Sequence, residues 1–234
     1  MQRIVVLTGA GISQESGLQT FRGADGLWNH ERIEDICTPQ GFRRDPLRVD
    51  RFYNSLRAQL PGVQPNAAHR ALAELEHAAR EGQWAGQITI ITQNIDDLHE
   101  RAGSHNVIHM HGELLRLRCT RCHATPPWHT DCYPDTPCPQ CGQPTLRPDI
   151  VWFGEMPYHM EVIARHLAMC DLFVAIGTSG VVYPAAGFVE SVADHADTML
   201  FNLEAPSGAS AFEQVILGPA TRTIPIWTRD LMAA

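Results

Sequence analysis

Four short runs of apolar and β-branched residues stand out along the chain. They are residues 4–7 (IVVL), 88–92 (ITIIT), 172–176 (LFVAI) and 199–203 (MLFNL), and none alternates regularly between apolar and polar positions. Continuous apolar strands are typical of a parallel sheet that helices cover on both faces. The pattern therefore predicts four buried parallel strands.

Helical periodicity lies between these runs. Residues 66–80 carry one apolar stripe, with Asn66 suited to cap the first turn. Helices are also expected at residues 160–169 and 184–192. This alternation of strands and helices indicates an α/β protein with a doubly wound parallel sheet.

Cysteine spacing predicts a metal site. Two CxxC pairs, separated by 15 residues, are formed by Cys119, Cys122, Cys138 and Cys141. Such spacing is typical of a four-thiolate zinc site, whose closed coordination makes the ion structural rather than catalytic. We interpret Cys37, Cys132 and Cys170 as free or buried thiols, and this use of cysteine favours a reducing compartment, the cytoplasm.

Two stretches interrupt the alternation of strands and helices. Residues from about 29 to 82 carry mostly helix signals, and residues 119–141 are rich in Cys, Pro and Thr. We expect both to be insertions that form a smaller module. The predicted division assigns residues 1–30, 83–116 and 151–234 to the sheet domain, residues 31–82 to a helical insertion and residues 117–150 to a zinc-binding insertion.

Composition narrows the function. The chain has 26 acidic and 18 basic side chains, for a net charge of -8, and every one of those basic residues is arginine. Without lysine there can be no P-loop phosphate lysine and no Schiff-base chemistry. An acidic chain without a basic run disfavours a nucleic-acid partner, and the absence of a long apolar run disfavours a membrane partner or a signal peptide.

Small and polar residues follow each predicted strand, where an open α/β sheet binds its ligands. They are Gly9, Ala10, Gly11, Ile12 and Ser13, then Gln93, Asn94, Ile95 and Asp96, then Gly177, Thr178 and Ser179, and finally Asn202, Leu203 and Glu204. Glycines can bring backbone amides close to a phosphate, although a tight turn is the alternative for the first set. The GxGxxG fingerprint is not met, because Gln14 stands at its last position, so an ordinary hydride-transfer enzyme is disfavoured.

Two histidines flank Met110. In an extended segment His109 and His111 would face the same side, and they could form a metal pair with His99 or Asp96. Alternatively, one of them is a general base beside Gly112, which would leave room for a substrate. A hydrogen-bonded structural role is the third possibility.

Taken in order, these segments resemble the sirtuin family of NAD-dependent protein deacylases. The matching motifs are GAGIS (9–13), TFR (20–22), TQNID (92–96), HMHG (109–112), the four cysteines, VWFGE (151–155) and GTS (177–179). The resemblance spans nearly the whole chain. It implies a Rossmann-like doubly wound sheet, a smaller inserted zinc-binding and helical domain, and a cleft that holds NAD and an acyl-lysine protein or peptide.

The resemblance also implies a role for each site residue. His111 would be the catalytic base, with Asn94 and Asp96 holding the ribose and nicotinamide, and the products would be nicotinamide and O-acyl-ADP-ribose. Further cofactor contacts would come from Gly9, Ala10, Gly11, Ile12, Ser13, Thr20, Phe21, Arg22, Trp28, Gln93, Ile95, Gly177, Thr178, Ser179, Asn202, Leu203, Glu204 and Ala220. NAD would be the co-substrate, and one structural Zn²⁺ would be bound per chain.

The substrate side of the resemblance contains one departure. The peptide would pair with Val151, Trp152, Phe153, Gly154 and Glu155, for which an ordinary core strand is the alternative. Residues 52–55 (FYNS) resemble the branch that removes malonyl and succinyl groups, in which Tyr-x-x-Arg binds the acyl carboxylate. Here Tyr53 is present, but Leu56 replaces the arginine. Arg57 should point elsewhere, because one helical residue turns by about 100°.

We therefore expect a deacylase that favours uncharged acyl groups, with deacetylation as its main activity. A mono-ADP-ribosyltransferase or NAD hydrolase is the enzymatic alternative, because another nucleophile could capture the same ribose carbon. A non-catalytic NAD-sensing module is the alternative from another class. The presence of Asn94, Asp96 and His111 argues against that last function.

Overall fold

A parallel sheet occupies the centre of the larger part of the molecule. The computed structural model describes residues 1–19, 27–28, 31–180, 182–206 and 208–233. In chain order the strands are β1 (Gln2–Thr8), β2 (Leu27–Trp28), β3 (Glu31–Arg32), β4 (Gly86–Thr92), β5 (Val107–His109), β6 (Gly112–Cys119), β7 (Leu146–Ile150), β8 (Leu172–Ile176), β9 (Asp197–Asn202) and β10 (Gln214–Leu217). The helices are α1 (Ala10–Gln14), α2 (Ile33–Ile36), α3 (Pro39–Arg44), α4 (Pro46–Gln59), α5 (Ala67–Arg80), α6 (Leu98–Ala102), α7 (Met160–Met169), α8 (Phe188–Val192) and α9 (Ala220–Ala233).

The strand order of the central sheet is β10-β9-β8-β1-β4-β5, and its strands run parallel. Strand β1 pairs with β4 on one side and with β8 on the other. The chain therefore winds outwards from β1 in both directions, which creates a switch point at the carboxyl ends of β1, β4 and β8. This confirms the predicted α/β class and doubly wound sheet.

Helices cover both faces of the sheet. On one face Leu72 of α5 and Ile224 of α9 pack with Val6 and Ile90. On the other face Ile163 of α7 and Val189 of α8 pack with the remaining strand side chains. Strands sandwiched in this way are buried on both sides, which explains why their sequences contain no polar alternation.

Helix α5 belongs to the layers of the large sheet. Its predicted cap is present, because the side chain of Asn66 accepts a hydrogen bond from the amide of Ala68. Its buried stripe packs on the sheet and against α9, although the sequence placed it in the helical insertion. The packing therefore favours ending that insertion before Asn66, while the division into domains stays a proposal.

The smaller module combines α2, α3 and α4 with the antiparallel pair β6 and β7. Its core contains Ile36, Phe52, Tyr53, Leu114 and Trp152. A separate cluster beyond it surrounds the predicted zinc ligands. Residues 151–155 follow β7 without a strand assignment of their own. None of the helices described combines the length and the apolar character needed to cross a bilayer.

Candidate active site

The switch point opens into a cleft of about 450 Å³ between the sheet and the smaller module. Segments far apart in sequence meet there because the carboxyl ends of parallel strands share one edge. The predicted residues that line the cleft are Gly9, Ala10, Gly11, Ser13, Leu56, Gln93, Asn94, Ile95, Asp96, His111, Val151, Trp152, Phe153, Gly154, Glu155, Gly177, Thr178, Ser179 and Asn202.

Other predicted residues lie elsewhere. Ile12 and Ala220 are buried in the sheet core, and Leu203 and Glu204 are exposed beyond β9. Tyr53 is buried beneath the cleft wall rather than in it. The backbone of Trp28 lies in β2, and Thr20, Phe21 and Arg22 fall outside the described residues. The roles predicted for these residues stay predictions.

The cleft also contains residues that the motifs did not identify. They are Gln14, Leu18, Gln19, Cys37, Gln59, Leu60, Leu114, Ile150, Pro157, Val182 and Tyr183. Gln59 and Leu60 lie three and four residues after Leu56, so helical spacing could have found them. No sequence spacing links Cys37 to the other lining residues, because only tertiary packing brings it to the cleft.

The glycines at the strand ends pack the loops after β1 and β8 against each other. A Cβ atom on Gly11 would lie 2.6 Å from the Cα atom of Gly177, and one on Gly177 would lie 2.5 Å from the amide nitrogen of Ile12. The amide of Gly11 donates to the carbonyl of Gly177 at 2.9 Å. Backbone contact between these loops therefore requires glycine, independently of any phosphate.

Asn94, Asp96 and Ser13 form a buried polar network on the floor of the cleft. The side-chain amide of Asn94 donates through Nδ2 to the carbonyl of Gly9 and to Ser13 Oγ, both at 3.1 Å. Ser13 Oγ donates to Asp96 Oδ2 at 3.0 Å, and the Leu98 amide donates to Asp96 Oδ1 at 3.1 Å. These bonds fix both side chains before any ligand arrives.

Burial sets the protonation of this network. It raises the pKa of Asp96 to about 6, and the hydrogen bonds from Leu98 and Ser13 limit that rise. Burial lowers the pKa of the neighbouring His69 to about 4. His69 is therefore neutral at pH 7, with its Nδ1 accepting from the Asn66 amide. The Asp96 carboxyl changes charge just below neutral pH.

His111 has the geometry of a general base. Its Nδ1–H donates to the carbonyl of Gln93 at 3.1 Å, because a carbonyl can only accept. The other nitrogen, Nε2, is then the unprotonated one. Burial lowers the pKa of His111 below its ordinary value, so the ring is neutral at pH 7. It lines the cleft, as a base must.

His109 is placed differently. Its Nε2 pairs with Glu100 at 2.8 Å, and it does not line the cleft. Within the described ranges, the four cysteines are the one group of three or more metal-ligating side chains that converges, which removes the support for a histidine metal pair. The space beside Gly112 is not open for a substrate either, because a Cβ atom there would lie 1.9 Å from the carbonyl oxygen of Asp149.

The part of the cleft next to α4 is largely apolar, and Gln59 is the polar lining residue that this helix contributes among the described residues. Its walls come from the core of the smaller module: Leu18, Cys37, Leu56, Leu60, Ile95, Leu114, Ile150 and Trp152. Arg57 does not reach it, because its guanidinium donates to the carbonyls of Leu114 and Thr130 at 3.2 and 3.3 Å. Among the described lining residues, Asp96 and Glu155 are acidic and none is Lys or Arg.

The four predicted zinc ligands converge. Their sulfur atoms lie within 4.8 Å of one another, with 3.7 Å between Cys119 and Cys141 and 3.7 Å between Cys122 and Cys138. A tetrahedral zinc site with Zn–S bonds of about 2.3 Å needs sulfur separations of about 3.8 Å. The donor set therefore fits one Zn²⁺.

Comparison with known proteins identifies relatives over nearly the whole chain. The model of the Sir2 family matches residues 9–184. A protein of Salmonella typhimurium named NAD-dependent protein deacylase is 53% identical over 227 residues, which cover 95% of this chain and 81% of that protein. A solved Sir2 homologue in complex with NAD has a TM-score of 0.88 and 38% identity, covering 99% of this chain and 90% of the other. Sir2Af2 bound to a myristoylated histone peptide has a TM-score of 0.73 and 30% identity, covering 99% and 91%.

Proposed function

The chain belongs to the Sir2 family, and from this premise we propose that it is a NAD-dependent protein-lysine deacylase that favours uncharged acyl groups. One observation carries the proposal. The cleft combines a neutral histidine and a fixed Asn–Asp pair with an apolar wall that, in the described residues, contains no cation.

NAD fits the polar half of the cleft. The loops after β1, β4 and β8 would hold it, together with Asn202 at the end of β9. Bound NAD supplies an electrophilic ribose carbon and nicotinamide as its leaving group. Asn94 and Asp96 are held rigidly enough to orient the ribose and nicotinamide, which is where alignment can lower the barrier most. The Nε2 atom of His111 accepts a proton from a ribose hydroxyl, which makes that oxygen nucleophilic.

The acyl-lysine peptide fits beside residues 151–155. The amides of Val151, Trp152 and Phe153 already donate to His111, Glu155 and Cys37 within the chain. A peptide that lies along residues 151–155 must therefore pair with the carbonyl groups of this segment and with the amide of Gly154. Main-chain pairing of this kind makes affinity largely independent of the peptide's side chains.

The acyl chain fits the apolar wall next to α4. A succinyl or malonyl carboxylate placed there would lose its hydration and meet no described cation. Such burial is costly unless the charge is paired and hydrogen-bonded. An acetyl group or a longer aliphatic acyl group has no such cost, and it gains from burial of its methyl and methylene groups.

Zinc has a structural part in this proposal. Four thiolates would complete its coordination, so it would hold residues 117–150 in shape and take no part in the reaction. None of the seven cysteines is disulfide-bonded in the structure, which is consistent with a reducing compartment such as the cytoplasm.

The test is a mass-spectrometric assay of the purified protein with NAD and matched acetyl-, succinyl- and long-acyl-lysine peptides. We expect nicotinamide and O-acyl-ADP-ribose from the acetyl peptide, and a loss of turnover in the His111→Ala variant. Faster turnover of the succinyl peptide would overturn the acyl preference. Nicotinamide without an acyl product would indicate NAD hydrolysis or ADP-ribosyl transfer, and no turnover of any peptide would indicate a binding module.

A further inference from the structure

One buried arginine holds the segment that the peptide is proposed to contact. Arg147 lies in β7, and its side chain is 7% exposed. Its Nη1 and Nη2 atoms donate to the two carboxylate oxygens of Glu155 at 2.7 and 3.0 Å, and Nη2 also donates to the carbonyl of Ile150 at 2.8 Å. The guanidinium carbon lies 3.4 Å from the ring centroid of Trp152. A single guanidinium therefore contacts residues 150–155 at both ends and in the middle.

Glu155 connects the guanidinium to the backbone of this segment. Its Oε2 atom also accepts from the amide of Trp152 at 2.9 Å, and its own amide donates to the carbonyl of Trp152 at 2.9 Å. Between them Gly154 has a φ of 88°, a left-handed conformation that glycine adopts without strain. Burial would raise the pKa of Glu155, but the hydrogen bonds from Arg147 and Trp152 bring it below its ordinary value. The carboxylate therefore stays charged at neutral pH and keeps the turn closed.

A second arginine provides a comparison within the same strand pair. Arg118 of β6 is the register partner of Arg147, so two like charges face each other across the strands, which is unfavourable unless an acid lies between them. Glu155 Oε1 lies 3.5 Å from Nη2 of Arg118 and 2.7 Å from Nη1 of Arg147. Arg118 is more exposed, and its guanidinium lies over the ring of Tyr158 instead of Trp152. Both arginines neutralise Glu155, but of the two it is Arg147 that also bonds the backbone of residues 150–155.

Other contacts of the segment lead into the cleft. The amide of Val151 donates to the carbonyl of His111 at 2.9 Å, and the amide of Phe153 donates to the carbonyl of Cys37 at 3.0 Å. A peptide can pair with the remaining backbone groups only when residues 150–155 keep this shape. Ordering a segment upon binding costs free energy, whereas a segment already held in its bound shape has no such cost. Arg147 itself does not line the cleft.

We propose that Arg147 is a positioning residue for the peptide: acting through Glu155 and Trp152, it keeps residues 150–155 in the shape that pairs with the main chain on either side of the acyl-lysine. The inference rests on the proposed deacylase function and deepens it. A residue outside the cleft then controls how much the flanking residues of a substrate contribute to recognition. NAD and the acyl group fit other parts of the cleft, so their binding should not depend on Arg147.

The test compares two substrates, an acetyl-lysine peptide and a single acetyl-lysine with both ends blocked. The measured quantity is the ratio of kcat/KM for the peptide to kcat/KM for the single residue, which isolates the contribution of the flanking residues. Arg147→Lys keeps the positive charge, but an ammonium cannot reproduce the fork that binds Glu155 and Ile150 together. We expect the ratio to fall about tenfold, the effect of losing one hydrogen bond between charged groups. The KM of the peptide should account for the change, while the Kd of NAD, measured by calorimetry, stays the same.

A double-mutant cycle with Glu155→Gln tests how Arg147 acts. Glu155→Gln alone should also lower the ratio, and the double variant should have a ratio no lower than the lower of the two single variants. Arg118→Met is the matched control, because it removes the other guanidinium beside Glu155, and its ratio should equal that of the parent. Arg57→Met removes a buried guanidinium with different partners and controls for lost stability. It should lower Tm without changing the ratio.

An unchanged ratio in Arg147→Lys, an equal fall in kcat/KM for both substrates, or independent effects of Arg147 and Glu155 would overturn this role. A parent that uses both substrates equally well would overturn it too. If Arg147→Lys does not fold, Glu155→Gln, at a side chain that is 23% exposed, must lower the ratio by itself or the role is rejected. All these outcomes leave acetyl turnover by the parent intact. Failure of the parent to turn over either substrate, although it binds NAD, would instead reject the deacylase and this inference with it.

Discussion

Burial shifts the protonation of two side chains of the cleft, Asp96 and His111. Burial favours the neutral form of both, which raises the pKa of Asp96 to about 6 and lowers the pKa of His111 below its ordinary value. The proposed reaction needs His111 neutral and Asp96 ionised. Both conditions are met at neutral pH, and protonation of Asp96 at lower pH should decrease activity.

The first prediction concerns this acid limit of activity. We expect kcat/KM to fall as the pH decreases through about 6, where Asp96 becomes protonated. Ser13→Ala removes a hydrogen bond that stabilises the carboxylate, so the limit should move upwards by about one pH unit. The measurement is the pH profile of kcat/KM for both proteins. Asp96→Asn, which has no carboxyl group, should lack the transition, and superimposable profiles of the parent and Ser13→Ala would contradict the assignment.

The second prediction concerns Arg57. Arg57 is 3% exposed, and its guanidinium ties α4 to β6 through the carbonyl of Leu114 and to the zinc-binding segment through the carbonyl of Thr130. It also donates to Asn54 Oδ1 within the helix. Arg57→Met would remove the side-chain donor from the carbonyls of Leu114 and Thr130, while Asn54 Oδ1 would keep its bond from the Cys132 amide. We expect the free energy of unfolding to fall by about 2–4 kcal/mol, which thermal denaturation would detect as a decrease in Tm of about 5–10 °C.

Arg51 on the exposed face of the same helix provides the matched control. Arg51→Met should change stability by about 0.5 kcal/mol or less. Neither substitution should change the preference between acetyl and succinyl peptides, because neither side chain lines the cleft. A lower relative rate for the succinyl peptide in Arg57→Met would show that this guanidinium does reach the acyl group.

The sequence predicted the orientation of a side chain where neighbouring residues determine it, and failed where contacts with distant parts of the chain determine it. Helical rotation was sufficient to predict that Arg57 turns away from the position of Leu56. The tautomer of His111 was not predictable, because it depends on the carbonyl of Gln93, 18 residues earlier. Cys37 was interpreted only as a free or buried thiol, since its place in the core with Tyr53 and Trp152 arises from packing among segments far apart in sequence.

The folding stability of β6 and β7 should depend on the zinc site, whereas the central sheet has a large core of its own. Strands β6 and β7 form a separate antiparallel pair, and at one end of it Leu117 of β6 and Leu146 of β7 pack mainly against cysteines. A two-stranded pair with so small a core is marginal by itself. Zinc binding should therefore supply much of the free energy that keeps this segment folded.

The third prediction tests this dependence. Cys138→Ala should abolish stoichiometric zinc binding, lower Tm and impair deacylation. Without zinc, residues 130–132 would no longer be held where they hydrogen-bond Asn54 and Arg57 of α4. Cys132→Ala is the matched control, because Cys132 is buried in the same cluster but lies outside the four-sulfur group. It should retain one zinc per chain by metal analysis. Full stability and activity of a chelated, metal-free parent would contradict the structural role.

Among the secondary-structure elements, the sequence predicted the strands that are buried on both faces, because their apolar runs are continuous. The four continuous apolar runs correspond to β1, β4, β8 and β9. Strands β5 and β10 were missed because they are short edge strands, and β10 is largely exposed, so their sequences resemble loops. Helix α9 contains Pro225, which obscured its periodicity. Its partner α5 was placed in the insertion because its stripe does not reveal what it packs against.

For the molecule as a whole, the distribution of positive charge is unusual for an enzyme proposed to act on lysine. The chain carries its positive side-chain charge as 18 arginines and has no lysine. Some guanidinium groups form exposed ion pairs in which an amine could have served, such as the pair between Arg3 and Asp171 at 3.6 Å. Guanidinium groups stay protonated at physiological pH and are not acylated as lysine amines are.

The last prediction follows from this composition. Acetyl phosphate should leave the parent fully active, with at most one hydroxylamine-resistant acetyl group, on the amino terminus, by intact-mass analysis. Arg229→Lys, at a side chain that is 70% exposed, adds a single acceptor without touching the cleft. That variant should gain one further acetyl group and lose it when NAD is added, because another molecule of the enzyme then uses it as substrate.

Loss of activity in the parent, with stable acetyl groups elsewhere on the chain, would show that the absence of lysine does not protect the enzyme. Persistence of the variant's additional acetyl group in the presence of NAD, while an acetyl peptide is consumed, would show that this surface helix cannot enter the peptide site.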